Sequence, residues 1–318
     1  MPHHPDVDFD YEAAYPDLRR LRSALARHDW PGCRAVLDAT DPASRTGLIR
    51  LGGARPHEGF LRAVFRDDPA DGAAAAMYGS CLIDIGWGIR GGGTARTVSR
   101  QQFDLFRKWL LQAEQVLTEG TARCPGDTAL WASRLDTARG LQAGQAEARR
   151  RYDRLAEIDP HHWPAQMLMV QQLCPKWGGS WEAVHQFAHD AMMAAPAGGM
   201  QGGLVAEAHI EHWFSLLGDD NAAATAYLRS PAVSESIYQS AHRSIGAPEF
   251  RRDWGWVKVG SEFAFLFSEL GDRAATAWLF DGLGPLATEF PWHWLRGDIV
   301  ENIRARRAWA RGEGEITR

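Results

Sequence analysis

The chain has 318 residues, of which 45% are hydrophobic and 24% charged, and this balance excludes an intrinsically disordered protein. The net charge of −5, with no local run of basic residues, argues against the phosphate-binding surface of a nucleic-acid-binding protein. The sequence contains no run of about 18 apolar residues that would predict a membrane-spanning helix. The polar N-terminus lacks the apolar core of a signal peptide. We expect a cytoplasmic protein that binds neither nucleic acid nor membrane.

Helix start and stop signals recur along the chain, whereas alternating Val, Ile and Thr runs are missing, so we predict an all-α fold. A first hairpin is expected over 15–26 and 31–39, and residues 43–57 are expected to be irregular. The best-defined helix follows Ser99, because Ser99 and Gln102 form the pattern of a capping box. The other predicted helices lie near 58–66, 71–87, 128–142, 145–157, 162–173, 181–194, 202–217, 220–228, 231–243, 256–270, 273–281 and 296–311.

Two segments repeat one pattern 53 residues apart. Residues 214–228 and 267–279 each contain Phe-Ser, a Gly-Asp turn and an Ala-Ala-Thr-Ala run that ends in an aromatic residue and Leu. Such a helical hairpin must stack on its neighbours to bury its apolar face. Pro125, Pro160 and Pro196 are 35 and 36 residues apart, close to the tetratricopeptide period of about 34 residues. We therefore predict tetratricopeptide-like α-α hairpin repeats stacked in a right-handed solenoid.

A solenoid grows along one axis and needs no second core, so we expect a single helical-repeat domain over residues 1–318. An N-terminal hairpin and irregular segment would occupy 1–57, the repeat body 58–295, and an Arg-rich capping helix with a tail 296–318. The four cysteines are single and dispersed. This spacing predicts reduced thiols, and neither a metal knuckle nor a disulfide framework.

A glycine-rich segment over residues 86–99 carries Arg90 and Arg96 and runs into the helix after Ser99. Backbone amides at a helix N-terminus bind anions, and either arginine would add positive charge. The segment is not a P-loop and follows no strand. It is interpreted either as a binding loop or as a structural connection between helices.

A second loop begins at Cys174 and contains Lys176 and Trp177 before a Gly-Gly-Ser sequence. The proline at 175 stops a helix, the glycines permit unusual backbone conformations, and Ser180 caps the next helix. Those roles leave Lys176 and Trp177 as candidate binding residues, because prominent aromatic residues in loops often contact partners.

Six of the twelve histidines lie between residues 161 and 212. Glu182, His185 and His189 share one helical stripe, and His209 and His212 are one turn apart on the next predicted helix. Glu-x-x-His on antiparallel helices is one pattern of a metal-carboxylate centre. The set has too few carboxylates for a di-iron site, so packing, hydrogen bonding or solvent exposure is the competing interpretation. We expect no metal and no other cofactor.

Several segments together resemble one family. They are the Arg-Gly-Gly-Gly loop with its Thr-Val-Ser helix start, Ala-Arg-Gly-Leu at 138–141, Asp-Pro-His-His at 159–162, Lys-Trp-Gly-Gly-Ser at 176–180 and Ala-His-Ile-Glu-His at 208–212. The set is similar to an uncharacterised family of actinobacterial proteins with a helical, tetratricopeptide-like domain of unknown function, and the resemblance covers about residues 58–217. It implies a helical-repeat fold and a bacterial origin, and it supplies no catalytic residues.

These observations predict a non-enzymatic helical-repeat scaffold that binds a peptide or protein partner in its groove. Arg90, Arg96, Lys176 and Trp177 are the candidate binding residues. The alternative is a metal-binding protein or enzyme centred on the His/Glu set of residues 182–212. Convergence of those histidines on one site would favour the alternative.

Overall fold

The structure is a computed structural model that describes residues 6–52, 54–92, 97–217 and 221–315. Within these ranges the chain forms sixteen α-helices and no strand beyond one isolated bridge between Asp8 and Leu286, so the predicted all-α fold is confirmed. No helix in the described ranges is long and apolar enough to cross a membrane. The chain divides into two compact units. The single domain expected over residues 1–318 stays a prediction.

The N-terminal unit comprises Tyr15–Gly179. Its longest buried element is α5, in which every residue from Ala73 to Ile83 is buried, and α5 packs on α3, α4, α6 and α7. The helices of this unit are α1 (Pro16–Ala26), α2 (Trp30–Asp38), α3 (Pro42–Leu51), α4 (Glu58–Asp67), α5 (Gly72–Arg90), α6 (Arg100–Arg123), α7 (Thr128–Gly140), α8 (Gln145–Ala156) and α9 (Trp163–Leu173).

The C-terminal unit comprises Ser180–Arg318 together with Met1–Ala14. Its core helix is α14, which packs on α11, α12, α13 and α15 and is buried over most of its length. The helices are α10 (Trp181–Ala194), α11 (Gly202–Ser215), α12 (Ala222–Arg229), α13 (Pro231–Arg243), α14 (Trp256–Leu270), α15 (Arg273–Leu283) and α16 (Ile299–Ala310).

Local signals fixed several helix ends as expected. The Ser99 hydroxyl accepts from the Gln102 backbone at 3.2 Å, and the Gln102 side chain accepts from the Ser99 backbone at 3.0 Å, so the predicted capping box is confirmed. In the second hairpin, Gly271 ends α14 in the left-handed region at φ 84°, where glycine has no steric penalty. The Gly-Asp turn of the first hairpin, at 218–219, lies outside the described residues.

The prediction of an irregular segment over 43–57 was wrong, because Pro42–Leu51 forms α3. Asp41 caps this helix by accepting from the backbone nitrogens of Ala43 and Ser44, each at 3.0 Å. The helix buries a threonine and a glycine, Thr46 and Gly47, beside its Leu and Ile. Small and polar residues on the buried face interrupt the regular spacing of apolar residues from which a helix is predicted.

The prediction of a glycine-rich loop over residues 86–99 was also wrong in part. Helix α5 continues through Gly86 and Gly88 to Arg90, so these positions are helical and not loop. At Gly86 an added Cβ would lie 3.4 Å from Phe106 and Trp109 of α6, which is an ordinary van der Waals distance.

A buried ion-pair network ties α6, α7 and α8 together. Glu114 of α6 accepts from Arg134 of α7 at 3.0 Å and from two nitrogens of Arg151 of α8, at 2.8 and 2.9 Å. The Arg151 side chain is 7% exposed. A buried guanidinium requires this compensation, because an unpaired charge in the interior is costly.

Replacing Glu114 should therefore destabilise the N-terminal unit. We expect Glu114→Ala to lower the free energy of unfolding by about 3 kcal/mol in urea denaturation, because it leaves Arg151 and Arg134 without their shared partner. The matched control is Glu119→Ala on the same helix, whose pair with Arg123 is exposed. The control should change stability by less than about 0.5 kcal/mol. Equal losses in the two variants would contradict the assigned role of Glu114.

Candidate functional site

Two of the predicted binding residues, Arg90 and Trp177, lie against one side chain, the indole of Trp87 in α5. The guanidinium carbon of Arg90 is 5.4 Å from the centre of the Trp87 ring. The Trp177 ring meets the same indole edge-on, with 6.3 Å between ring centroids and 90° between planes. Lys176 is exposed next to Trp177, and Arg96 lies outside the described residues. The fold of the N-terminal unit thus brings the two predicted segments together.

A further cation, Arg139 of α7, contacts both indoles. Its guanidinium carbon is 5.5 Å from the centre of the Trp87 ring and 5.8 Å from that of Trp177. We refer to Trp87, Arg90, Arg139, Lys176 and Trp177 as the Trp87 patch. Neither Trp87 nor Arg139 was predicted as a binding residue, because a single residue in a helix carries no local pattern of its own.

A buried carboxylate fixes the position of Arg139. Asp136 accepts from Nη2 of Arg139 at 2.7 Å and from Nη1 of Arg50, on α3, at 2.8 Å. Burial favours the protonated form of Asp136, but the two guanidinium groups outweigh it and lower the pKa of this carboxyl below its usual value. Asp136 stays ionised, and Arg139 is held in one orientation beside the indoles.

The Trp177 backbone is fixed from a second direction. The Gln145 side chain donates to the carbonyl oxygens of Trp177 at 3.0 Å and of Gln172 at 2.8 Å. Trp177 ends a short 3-10 turn, which Gly178 closes in the left-handed region at φ 84°. The loop that carries Lys176 and Trp177 is therefore ordered by hydrogen bonds before any partner binds.

The Trp87 patch combines positive charge with aromatic surface. Trp87, Arg90, Arg139 and Trp177 are half-buried, and Lys176 is exposed. Guanidinium and ammonium groups bind carboxylates, while indole faces bind apolar side chains and cations. An acidic residue next to an apolar one in a peptide would match this arrangement.

The histidines converge in the C-terminal unit. Nε2 of His185, on α10, is 3.0 Å from Nδ1 of His212, on α11. The Tyr227 hydroxyl, on α12, is 3.2 Å from Nε2 of His185 and 2.7 Å from Nδ1 of His209. We refer to these four residues as the histidine cluster. Three of the five residues in the predicted His/Glu set therefore meet.

The other two members of that set, Glu182 and His189, are exposed on α10. Both nitrogens of His209 are already engaged, since Nε2 lies 3.1 Å from the Ser236 hydroxyl. In the described ranges, no group of three or more His, Cys, Asp or Glu side chains has a geometry that could hold a metal ion. The cluster, as built, is a network of hydrogen bonds between neutral groups.

Burial sets the protonation of the cluster. It lowers the pKa of His185 to about 4 and that of His209 to about 3, and the neighbouring imidazoles add to the effect. Burial also lowers the pKa of His212 and raises that of Tyr227. The imidazoles are consequently neutral near pH 7, and each can donate one hydrogen bond and accept another.

Two residues were missed as site residues: Tyr227 of the cluster itself, and Trp181 beside it. Trp181 stacks on His212, with 4.5 Å between ring centroids and 3° between planes. Tyr227 occupies the aromatic position of the first repeated Ala-Ala-Thr-Ala motif. The repeat signalled that this position bears an aromatic ring, but only the packing of α12 against α11 shows that its hydroxyl contacts histidines.

Comparisons of the chain with protein-family models, curated proteins and solved structures find no match. The resemblance to an actinobacterial family stays a prediction.

The histidine cluster should make stability depend on mildly acidic pH. The unfolded histidines take up protons near pH 6.5, whereas folded His185 and His209 do so only at about 4 and about 3. Between these values the unfolded chain binds more protons, so the free energy of unfolding should fall as pH drops from 6.5 towards 4. Urea denaturation across this range measures the slope.

The matched variants for this measurement are His209→Gln and His189→Gln. Glutamine at 209 keeps polar atoms but cannot be protonated, so the fall in stability should be shallower than in the wild type. His189 is exposed on α10, and its replacement should leave the wild-type slope intact. If His209→Gln shows the wild-type dependence of stability on pH, the histidine cluster is not the cause of that dependence.

Proposed function

We propose that the protein is a non-enzymatic helical-repeat scaffold that binds a peptide or protein partner through the Trp87 patch. The observation that carries the proposal is the meeting of Arg90, the last residue of α5, and Trp177, from the loop after α9, on the single indole of Trp87. Trp and Arg are the residues most enriched at energetically dominant positions of protein interfaces.

The order of the patch supports its use in binding. Arg139 is held by Asp136, and the Trp177 carbonyl by Gln145, so few side chains have to be immobilised when a partner binds. Each rotamer-rich side chain that is already ordered spares about 0.5–1.5 kcal/mol of binding free energy. The three cations favour a partner segment with at least one carboxylate.

A right-handed, tetratricopeptide-like solenoid is the arrangement that we propose for the helices. Successive packing of α5 on α6, α6 on α7, α7 on α8 and α8 on α9 in the N-terminal unit supports it. The duplicated sequence of the α11–α12 and α14–α15 hairpins supports it in the C-terminal unit. Solenoids of stacked hairpins commonly present extended surfaces to partner peptides.

The binding proposal can be tested with a displayed peptide library rich in acidic and aromatic residues, followed by affinity measurement on labelled peptides. We expect an Arg90→Ala, Lys176→Ala double variant to bind the selected peptides at least tenfold more weakly, about 1.4 kcal/mol. Its melting temperature should move little, because partly exposed charges contribute little to stability.

The control for this experiment is Arg66→Ala, on α4 of the same unit, where the side chain is 80% exposed. It removes one surface cation outside the Trp87 patch and should leave peptide affinity near the wild-type value. A library that yields no binder, or binders that ignore the double variant, would exclude the patch as the binding surface.

A second candidate function is favoured by the convergence of His185, His209 and His212. Neutral imidazoles linked to a phenol can transfer protons, so an enzyme centred on the cluster is the alternative. Elemental analysis of chelator-free protein and a screen of generic hydrolysis substrates test it. A stoichiometric metal or an activity that disappears in a His185→Ala, His209→Ala double variant would place this function first.

A further inference from the structure

Three ionisable side chains meet inside the C-terminal unit, where α11 contacts α14. Lys258 donates to Oε1 of Glu262, one turn away on α14, and its ammonium nitrogen is 2.6 Å from Oε2 of Glu207 on α11. Glu262 is 0% exposed and Glu207 is 3% exposed. The ring of Phe290 lies 4.1 Å from the ammonium group and covers it with apolar surface.

The charges of this group do not balance if both carboxyls are ionised. Two carboxylates and one ammonium would leave a net negative charge in a buried site, which is strongly unfavourable. In the described residues, no nitrogen or hydroxyl group donates to Oε2 of Glu262. The carboxyl of Glu207 faces the same ammonium group and helps to raise the pKa of Glu262. Two carboxyl groups can share a hydrogen bond only when one of them carries a proton.

We propose that Glu207, Lys258 and Glu262 form a proton-binding site, in which the two carboxyl groups share one proton at neutral pH. One proton makes the group electrically neutral, with one ammonium, one carboxylate and one carboxylic acid. It also supplies the missing donor between the two acids. This site differs chemically from the histidine cluster, because it consists of carboxyl groups and an ammonium group. It is independent of the proposed binding function.

The surrounding groups favour retention of the proton. Burial raises the pKa of Glu262 well above its usual value; Lys258 opposes the shift and Glu207 adds to it. From the N-terminal segment, Tyr11 interacts with Lys258, Glu262 and Glu289, and burial raises the pKa of its phenol. Glu211, one turn beyond Glu207, is also buried on α11. These neighbours are acidic or neutral, apart from Lys258 itself.

A retained proton gives stability a definite pH dependence. The folded protein holds a proton that the unfolded chain releases near the usual Glu pKa of 4.5. Above that pH the folded state binds more protons, so stability should decline as pH rises through the window up to the raised pKa of Glu262.

The test is Glu262→Gln, because glutamine has the shape and neutrality of the protonated acid. Its melting temperature should match the wild type near pH 4, where Glu262 is protonated in both the folded and the unfolded chain. It should exceed the wild type increasingly as pH rises, by about 3 °C or more at alkaline pH, because only the wild type has to bind a proton on folding. The matched control is Glu301→Gln, which removes an exposed carboxylate paired with Arg304. The control should follow the wild type at every pH.

Infrared difference spectroscopy of the wild-type chain provides a readout that does not depend on a variant. The carbonyl stretch of a buried carboxylic acid should be present at pH 7 and missing from Glu262→Gln. The proposal is overturned if both carboxyls are ionised at pH 7. It is also overturned if Glu262→Gln is as unstable as Glu262→Ala near pH 6, or if a tightly bound cation in place of the proton is found in elemental analysis.

Discussion

The ion pair between Asp136 and Arg139 is the interaction on which the candidate binding surface depends. A carboxylate that is almost fully buried has to be compensated, and Asp136 obtains two guanidinium partners, Arg50 from α3 and Arg139 from α7. Arg139 is held there because Arg50 alone would otherwise have to compensate the buried carboxylate. It is therefore kept against the indoles of Trp87 and Trp177.

The same constraint recurs across the N-terminal unit. Glu114 is matched by Arg134 and Arg151, so α6, α7 and α8 are joined by charges as well as by apolar contacts. Removing one member of such a network leaves the partner charge buried and uncompensated. The resulting loss of stability is larger than the stability that the ion pair adds relative to a pair of neutral residues. Helix α7, which carries Arg139, is thus tied to α6 and α8.

The C-terminal unit meets the cost of burial in another way. Its histidine cluster is neutral because desolvation lowers the imidazole pKa values, and the carboxyl groups at Lys258 are proposed to be neutralised by a shared proton. In the N-terminal unit, opposite charges stabilise the charged form of the acids. Because these pKa values are shifted by burial, the stability of the C-terminal unit should depend on pH both in mildly acidic and in alkaline solution.

Much of the helical framework followed from local sequence. Ser99 and Gln102 close a capping box whatever lies nearby, and Gly271 adopts a left-handed conformation that other residues disfavour, so both helix ends were determined within a few residues. Helix α3 was missed because Thr46 and Gly47 are buried among its apolar residues, and the length of α5 was missed because glycines normally indicate a loop.

The sites were decided by tertiary structure. The sequence named Arg90, Trp177 and three of the clustered histidines as candidates, but it gave no sign that Trp87 and Arg139 join the first group or Tyr227 the second. Lys258 and Glu262 were not predicted as site residues, since a Lys and a Glu one turn apart are common on exposed helices. Helix signals act over a few residues along the chain, whereas burial, which shifts a pKa or requires a counter-charge, depends on the helices that pack from elsewhere in the chain.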